Sequence, residues 1–233
     1  MTVAEGDQLS LAIDATAAGA RLSARIRPMQ PSNGEGPFDD ADYFFEPWWP
    51  GSRTILYLDG AEVRLQAEHL ADPLAAFPEL GAIREQIREP MLILDGTLLV
   101  LDDAGRPDEA LLRRRLSSTS PSASGGVPAF VATDLLQLGD RTLTARPFGE
   151  RRDRLETLVP DGEWCVVGRG YRQEGTMVAE ALERMGLDAM SARRLSARYQ
   201  PGDAGDAWLR LPLVPAAPRH ERPTLTLIQR LPL

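Results

Sequence analysis

The 233-residue sequence contains no lysine, since all 26 of its basic residues are arginines. Without an ε-amine the chain cannot form a Schiff base, a P-loop phosphate contact or a lysyl-nucleotide intermediate. It also has a single cysteine, Cys165, which excludes an intramolecular disulfide. With His69 and His220 as the two histidines, the composition argues against a Cys/His zinc site. Cys165 lies in the apolar run EWCVVG, which predicts a buried and inert thiol.

Long hydrophobic runs are also missing. None approaches the roughly 18–20 apolar residues that a membrane-spanning helix needs. The start, MTVAEGDQLSLAID, lacks the basic and apolar blocks of a secretory signal, so we expect a cytoplasmic location. The net charge of −8 argues against a protein whose main role is to neutralise a nucleic-acid backbone. A hydrophobic content of 43% is sufficient for the core of one domain.

Segment patterns predict a mixed fold. Residues 1–42 lack apolar periodicity and are interpreted as a flexible leader. The run RTILYLDGAEVRLQAE predicts a hairpin with a type I′ turn at Asp59-Gly60. A helix is expected over 78–89, then a pair of strands in PMLILDGTLLVLDDAGRP, then a helix over 107–116.

The second half continues in the same way. Strands are predicted in AFVATDLLQL, EWCVVG, DAMSARRLSARY and AWLRLPL, and a surface connection over 117–128. Helices are predicted over 147–159 and in RQEGTMVAEALERMG, which Gly186 would end. Residues 43–213 therefore form the expected domain, and 214–233 a proline-rich link and a terminal strand. Because hairpins dominate the strand pairs, the sequence predicts an α+β fold with antiparallel sheets.

Five segments occur in the order and at the spacing of one known family. Together they resemble the adenylation domain of ATP-dependent DNA ligases, most closely the ligase modules of bacterial end-joining enzymes. The resemblance covers roughly residues 26–213 and rests on the following stretches: PFDDADYFFEPWWPGSR, VRLQAEHLADPLAAFPEL, LILDGTLLVLDDAGRPDEALLRRRL, VPAFVATDLLQLGDRTLTARPFGERRDRLETLV and GLDAMSARRLSARYQPGDAGDAWLRLPL.

The resemblance implies a nucleotidyltransferase domain of two antiparallel sheets with flanking helices, which holds ATP between the sheets. In this family a lysine attacks the α-phosphate to give lysyl-AMP. Carboxylates hold the metal and the ribose, an aromatic ring stacks on adenine, and further lysines neutralise the phosphates. That chemistry is nucleophilic catalysis assisted by cations and a metal ion.

The chain departs from the family pattern at the positions that would react. In the motif K-x-D-G-x-R, Trp48 stands at the nucleophile and Pro50 at the aspartate, while Gly51 and Arg53 are retained. Ala67, Glu68 and His69 stand where the family has S-R-N. The remaining departures are Thr97 for a ribose-binding glutamate, Thr133 for the stacking aromatic, Asp188 for a metal-associated glutamate, Arg193 and Arg210 for lysines, and Pro212 for the last lysine. We therefore expect no lysyl-AMP and no catalytic residue.

Two interpretations of the remnant nucleotide pocket stay open. Arg53, Arg193 and Arg210, with Asp188, either cluster around an anion or pair with carboxylates, and the acidic excess of the chain favours pairing. Trp48 and Trp49 adjoin on one strand and should point to opposite faces, so one belongs to the core. The other either fills the former pocket or offers a stacking platform, and filling is favoured. No metal site is expected, and ATP with Mg²⁺ would bind only non-covalently.

The resemblance gives two hypotheses about function. The first is a pseudo-ligase that serves as a binding or scaffold protein in DNA repair or end joining, with repair proteins or DNA ends as partners. The alternative is a non-covalent nucleotide or nucleic-acid sensor. A third, weaker possibility is a subunit whose partner supplies a nucleophile and the family's oligonucleotide-binding barrel, for which too few residues follow Arg222.

Two smaller signals concern partners. The stretch QLSLA, with Gln8, Leu9 and Leu11, resembles the peptide by which bacterial repair proteins dock on the sliding clamp, although Ala12 lacks its usual aromatic residue. The arginines at 113–115 and in ERRDR (150–154) are interpreted as solvated helix surface rather than nucleic-acid contacts.

Overall fold

The computed structural model describes residues 25–68, 70, 72–117, 125–202 and 205–214. The strands are β1 (Ser32–Asn33), β2 (Asp40–Pro47), β3 (Ser52–Asp59), β4 (Glu62–Ala67), β5 (Met91–Leu101), β6 (Val127–Leu138), β7 (Arg141–Thr142), β8 (Cys165–Val167), β9 (Tyr171–Gln173), β10 (Ala189–Arg194) and β11 (Trp208–Pro212). The helices are α1 (Pro73–Ala76), α2 (Ile83–Gln86), α3 (Glu109–Ser117), α4 (Phe148–Leu158) and α5 (Gly175–Arg184). Short 3-10 segments span Pro78–Ala82 and Gly205–Ala207.

The strands form two sheets. The first has the order β1-β11-β10-β2-β9, and the second has the order β4-β3-β5-β6-β7 with β8 beside β6. All pairs are antiparallel except β1 with β11 and β6 with β8. The predicted α+β class with antiparallel sheets and flanking helices is confirmed.

The second sheet is buried on both faces, which explains the nearly continuous apolar runs of β3 and β5. On β3, Leu56 and Leu58 pack in a cluster that also contains Phe77 from the loop after α1. Ile55 and Tyr57 point the other way, into a cluster that also contains residues of the N-terminal segment, β11 and the loop after β10. Successive residues of a strand point to opposite faces of the sheet. When both faces are covered, apolar side chains are favoured at every position, and polar and apolar residues do not alternate.

An extended segment that we call the strap, residues 25–31, contacts the second sheet and the loop after β10 before it enters β1. The Ile26 N–H lies 3.2 Å from Tyr57 Oη and 3.1 Å from Gln66 Oε1, while the Met29 N–H donates to Tyr199 Oη at 2.9 Å. Ile26 and Met29 are buried. The predicted leader boundary at residue 42 is therefore wrong, since residues 26–42 belong to the folded domain. The rest of that leader, residues 1–24, lies outside the described residues.

Several local predictions are wrong in detail. The hairpin between β3 and β4 has Gly60 and Ala61 as its loop residues. Gly60 has a φ of 59°, and Ala61 does not share the positive φ, so the turn fits type II′ rather than type I′. The helix expected over 78–89 is a 3-10 turn followed by α2, which ends at Gln86. The expected strand pair after it is one strand, β5, which pairs with β3 over residues 91–98 and with β6 over residues 92–101 and needs no internal turn.

Some predictions fall on residues that the structure does not describe. They are His69, the clamp-like peptide at Gln8, Leu9 and Leu11, most of the connection over 117–128, and the terminal link and strand beyond Val214. In the described part of the chain, no helix is both long and apolar enough to cross a membrane.

The predicted inert thiol can be tested chemically. Cys165 is fully buried on β8, and burial, together with the charge of Asp161, raises the pKa of its thiol. We expect no reaction of the native protein with an aromatic disulfide reagent at pH 8, because the thiolate is the reactive form. In guanidinium chloride the reagent should titrate one thiol per chain. Rapid stoichiometric labelling of the native protein would contradict the burial.

Candidate functional site

A cleft of about 200 Å³ lies where the two sheets face each other. Five of the seven predicted pocket residues line it: Trp48, Arg53, Thr97, Thr133 and Arg193. Arg210 and Asp188 do not. Their side chains lie 4.0 Å apart, with 36% and 76% of their surfaces exposed, and the Arg210 guanidinium lies 5.5 Å from the Trp48 ring. The structure therefore brings most of the predicted site together and leaves two residues outside the cleft.

Trp48 and Trp49 both follow the end of β2 at Pro47, so they do not lie on the strand as expected. Trp49 is buried in the core between the sheets. Trp48 is partly buried, and its ring lies 6.0 Å from the ring of Trp208 at an interplanar angle of 41°. Trp49 therefore belongs to the core, but both tryptophans line the cleft. The Trp48 ring packs on the opposite wall of the cleft, which narrows it.

Arg53 is held by a buried carboxylate on the neighbouring strand. Its Nε and NH2 groups donate to the two oxygens of Asp95 at 2.6 and 2.5 Å. Asp95 is fully buried and also accepts a hydrogen bond of 2.7 Å from the Tyr199 hydroxyl. Burial alone would lower the pKa of Arg53, but the charge and hydrogen bonds of Asp95 raise that pKa overall. The guanidinium therefore stays charged and fixed in a bidentate pair.

Arg193 is also held by a buried carboxylate, but through a single contact. Its NH1 group lies 3.2 Å from Asp134 Oδ2, and its NH2 group lies 3.4 Å from Thr133 Oγ1. Asp134 is fully buried and also makes a bidentate pair with Arg151, with both distances at 2.8 Å. The Arg193 guanidinium also lies 3.9 Å from the centre of the Trp208 ring. Burial lowers the pKa of Arg193, and the charges of Glu46 and Asp134 offset part of that decrease.

A third buried carboxylate, Glu46, lies near two of the arginines around the cleft. Its Oε2 accepts from Arg152 NH1 at 3.0 Å, and its Oε1 lies 3.9 Å from Arg193 Nε. Burial raises the pKa of Glu46, although the charges of Arg152 and Arg193 oppose that rise. Arg152 also pairs at 2.8 Å with Glu156, which is about half exposed. Three buried arginines, the partly buried Arg53 and three buried carboxylates thus lie together around the cleft, with Glu156 at the surface.

Sequence reasoning missed several members of this network. ERRDR was interpreted as solvated helix surface, yet Arg151 and Arg152 are 1% exposed. In the run 113–115, Arg113 and Arg114 are exposed as expected, but Arg115 is buried and donates to the Ala76 carbonyl and to Glu79. The carboxylates that bind Arg151 and Arg152 come from β2 and β6, far away in sequence. The acidic residues next to them in sequence, Glu150 and Asp153, do not indicate that these arginines pair with distant strands.

Two glycines of the motifs have a steric role. A Cβ atom at Gly51 would lie 2.4 Å from the Leu98 carbonyl oxygen, and one at Gly96 would lie 2.2 Å from the Val131 carbonyl oxygen. Gly96 follows a shift in the register between β5 and β6. Any larger residue at either position would force the strands beside the cleft apart.

The described residues contain no group of three or more His, Cys, Asp or Glu side chains placed to bind a metal ion. The carboxylates nearest the cleft are instead occupied by arginines.

Residues 35–211 match a family model described as the ATP dependent DNA ligase domain. DNA ligase C1 of Mycolicibacterium smegmatis is 36% identical over 176 residues, which cover 71% of this chain and 50% of that protein. The multifunctional non-homologous end joining DNA repair protein LigD of Mycobacterium tuberculosis is 29% identical over 170 residues, which cover 73% of this chain and 21% of that protein. The chain therefore spans half the length of the first relative and about a fifth of the second.

Solved structures agree with these sequence similarities. The structure described as mycobacterial DNA ligase D complexed with ATP and MES superposes with a TM-score of 0.68 at 26% identity, covering 80% of this chain and 60% of that chain. The ligase domain of M. tuberculosis LigD superposes with a TM-score of 0.67, also at 26% identity, covering 79% of this chain and 58% of that chain.

The buried network predicts a large effect of one substitution. Asp134→Asn leaves Arg151 and Arg193 buried without their shared carboxylate, and breaking a buried pair typically costs about 3–5 kcal/mol. We expect a loss of that size in the free energy of unfolding, measured by urea denaturation. Asp103→Asn, at an exposed position after β5, is the matched control and should change stability little. Equal stability of the two variants would show that Asp134 is not required to neutralise these arginines.

Proposed function

Because this chain belongs to the ATP-dependent DNA ligase family, we propose that it is a catalytically inactive member that acts as a binding or scaffold protein in DNA end joining or repair. The observation that carries the proposal is the residue at the nucleophile position. Trp48 stands there, and no lysine exists elsewhere in the chain to replace it. A tryptophan ring offers no nucleophile for a phosphorus centre, so the covalent step cannot begin at this position.

The hydroxyl groups of the cleft do not substitute for the amine. Thr133 donates to the Asp95 carbonyl oxygen at 3.2 Å, and Ser191 accepts from the indole N–H of Trp208 at 2.7 Å. A serine or threonine attacks a phosphate efficiently when a general base removes its proton. The buried carboxylates around the cleft, Glu46, Asp95 and Asp134, are paired with arginines. Both histidines lie outside the described residues.

The cleft also fits ATP and Mg²⁺ poorly. Its volume of about 200 Å³ is below the roughly 300–1,000 Å³ of typical ligand pockets. Arg53 and Arg193 would be the natural phosphate contacts, but each already pairs with a buried aspartate. A triphosphate would have to compete with Asp95 and Asp134 for them and leave those carboxylates unpaired, which is costly in a buried site. This argument favours the scaffold hypothesis over the nucleotide-sensor alternative.

The proposed setting comes from the relatives. LigD is named as a multifunctional protein of non-homologous end joining, and its ligase domain shares the fold of this chain. We infer from that likeness that the partners of this chain are DNA ends or repair proteins. The acidic net charge favours a protein partner over extensive contact with a phosphate backbone.

An adenylation assay tests the proposal directly. The purified chain is incubated with ATP labelled at the α-phosphate and with Mg²⁺ or Mn²⁺, and label that survives denaturation is counted. We expect none above background, because no lysine ε-amine is available to form a phosphoramidate. DNA ligase C1 of M. smegmatis, treated identically, is the positive control. Stable stoichiometric label on this chain would overturn the claim of inactivity.

A calorimetric titration separates the two hypotheses about the remnant pocket. The scaffold hypothesis predicts no saturable heat when ATP is added, with or without Mg²⁺, because the arginines are already paired. Saturable binding that is lost in Arg193→Gln but kept in Arg113→Gln, an exposed helix position, would instead establish the sensor.

A further inference from the structure

The strap lies between two hollows. The cleft of about 200 Å³ is lined on one side by Gln30 and Pro31. A larger hollow of about 920 Å³ lies on the other side and is lined by residues 25–28 and by Gln30 of the strap, together with the end of β4. Gln30 and Arg53 line both. The two hollows are therefore neighbours, and the strap forms part of the wall that divides them.

We propose that the strap is an internal lid that closes the remnant cleft by hydrogen bonds to β3, β4 and the loop after β10, and that opens without unfolding the domain. The proposal concerns access to the cleft. It rests on the proposed function only in that it takes the cleft to be catalytically inactive. When the strap lifts, the two hollows become one and the tryptophans of the cleft become accessible to small solutes.

The lid is fastened at its first end by β3 and β4. Ile26 N–H contacts both Tyr57 Oη and Gln66 Oε1, and the Gln66 amide donates back to the Ile26 carbonyl at 2.5 Å. The Tyr57 hydroxyl donates to Gln66 Oε1 at 2.8 Å, which orients the amide toward the strap. This fastening is made by two polar side chains, and the Ile26 side chain fills the space beneath.

The second fastening connects the strap to the ion pairs of the cleft. Tyr199 Oη accepts from Met29 N–H and donates to Asp95 Oδ2, and the same Asp95 carboxylate holds Arg53. Burial and the charge of Asp95 raise the pKa of Tyr199, so the hydroxyl keeps its proton. One tyrosine hydroxyl thus links the closed strap to the position of Arg53. The Gly202 N–H adds a contact of 3.2 Å to the Pro28 carbonyl.

The strap has the structural features of a segment that opens locally while the rest of the domain stays folded. Residues 26–31 have no regular secondary structure and no strand partner. Ile26 and Met29 are buried, whereas Arg27 and Gln30 are exposed. Segments with few buried apolar contacts and few backbone hydrogen bonds open at a lower free energy than the strands of the core. β5, which is paired on both sides over residues 92–98, provides the contrast.

Amide exchange in Tyr199→Phe tests the lid. The variant removes the hydroxyl that fastens Met29 and keeps the ring that fills the space. Losing hydrogen bonds of ordinary strength should speed exchange of the strap amides on the order of tenfold, while β5 amides keep their wild-type rates. Tyr57→Phe weakens the other end and should act in the same direction. Tyr171→Phe, on β9 and away from the strap, is the control and should leave strap exchange unchanged.

Tryptophan fluorescence gives a second readout. Trp48, Trp49 and Trp208, three of the four tryptophans, line the cleft. Acrylamide should quench Tyr199→Phe more strongly than the wild type and the Tyr171→Phe control. The proposal would be overturned if the amide exchange rates of the strap were unchanged in both Tyr199→Phe and Tyr57→Phe. It would also be overturned if the exchange rates of β5 rose together with those of the strap. No nucleotide is used, so either result is independent of the adenylation assay.

Discussion

Three carboxylates, Glu46, Asp95 and Asp134, lie buried where the two sheets meet, and every one of them has an arginine within ion-pairing distance. Removing these charges from water would be very costly if they stood alone, so each must be matched locally. The rest of the site follows from that requirement. Arginines from β3, α4 and β10 converge on the carboxylates, and their guanidinium groups and the tryptophan rings between them fill the space that separates the sheets.

This arrangement also affects how the cleft could bind a ligand. A nucleotide-binding cleft needs cations and carboxylates that remain free to contact a ligand. Here the same kinds of groups neutralise each other, and two of the ion pairs are bidentate, the arrangement of strong charge-assisted hydrogen bonds. The charges that a ligand would have balanced are balanced within the protein. Stability and the capacity to bind an anion are therefore opposed at this position.

The sequence allowed the fold to be predicted but not the interior of the site. Strand positions and family likeness were readable because β-branched and leucine-rich runs, turn residues and motif order are local signals. Arg151 and Arg152 were misread because their partners, Asp134 and Glu46, come from other strands, and no local pattern records such a pairing. The strap was missed for a related reason. Ile26 and Met29 are isolated apolar residues without a period, and tertiary contacts alone bury them.

Gly51 and Gly96 allow the strands beside the cleft to approach closely. At these two positions a match to the family motifs reflects the close packing of the backbone. Membership of this family is thus a statement about architecture, and the capacity to transfer a nucleotide has to be read separately at each reactive position.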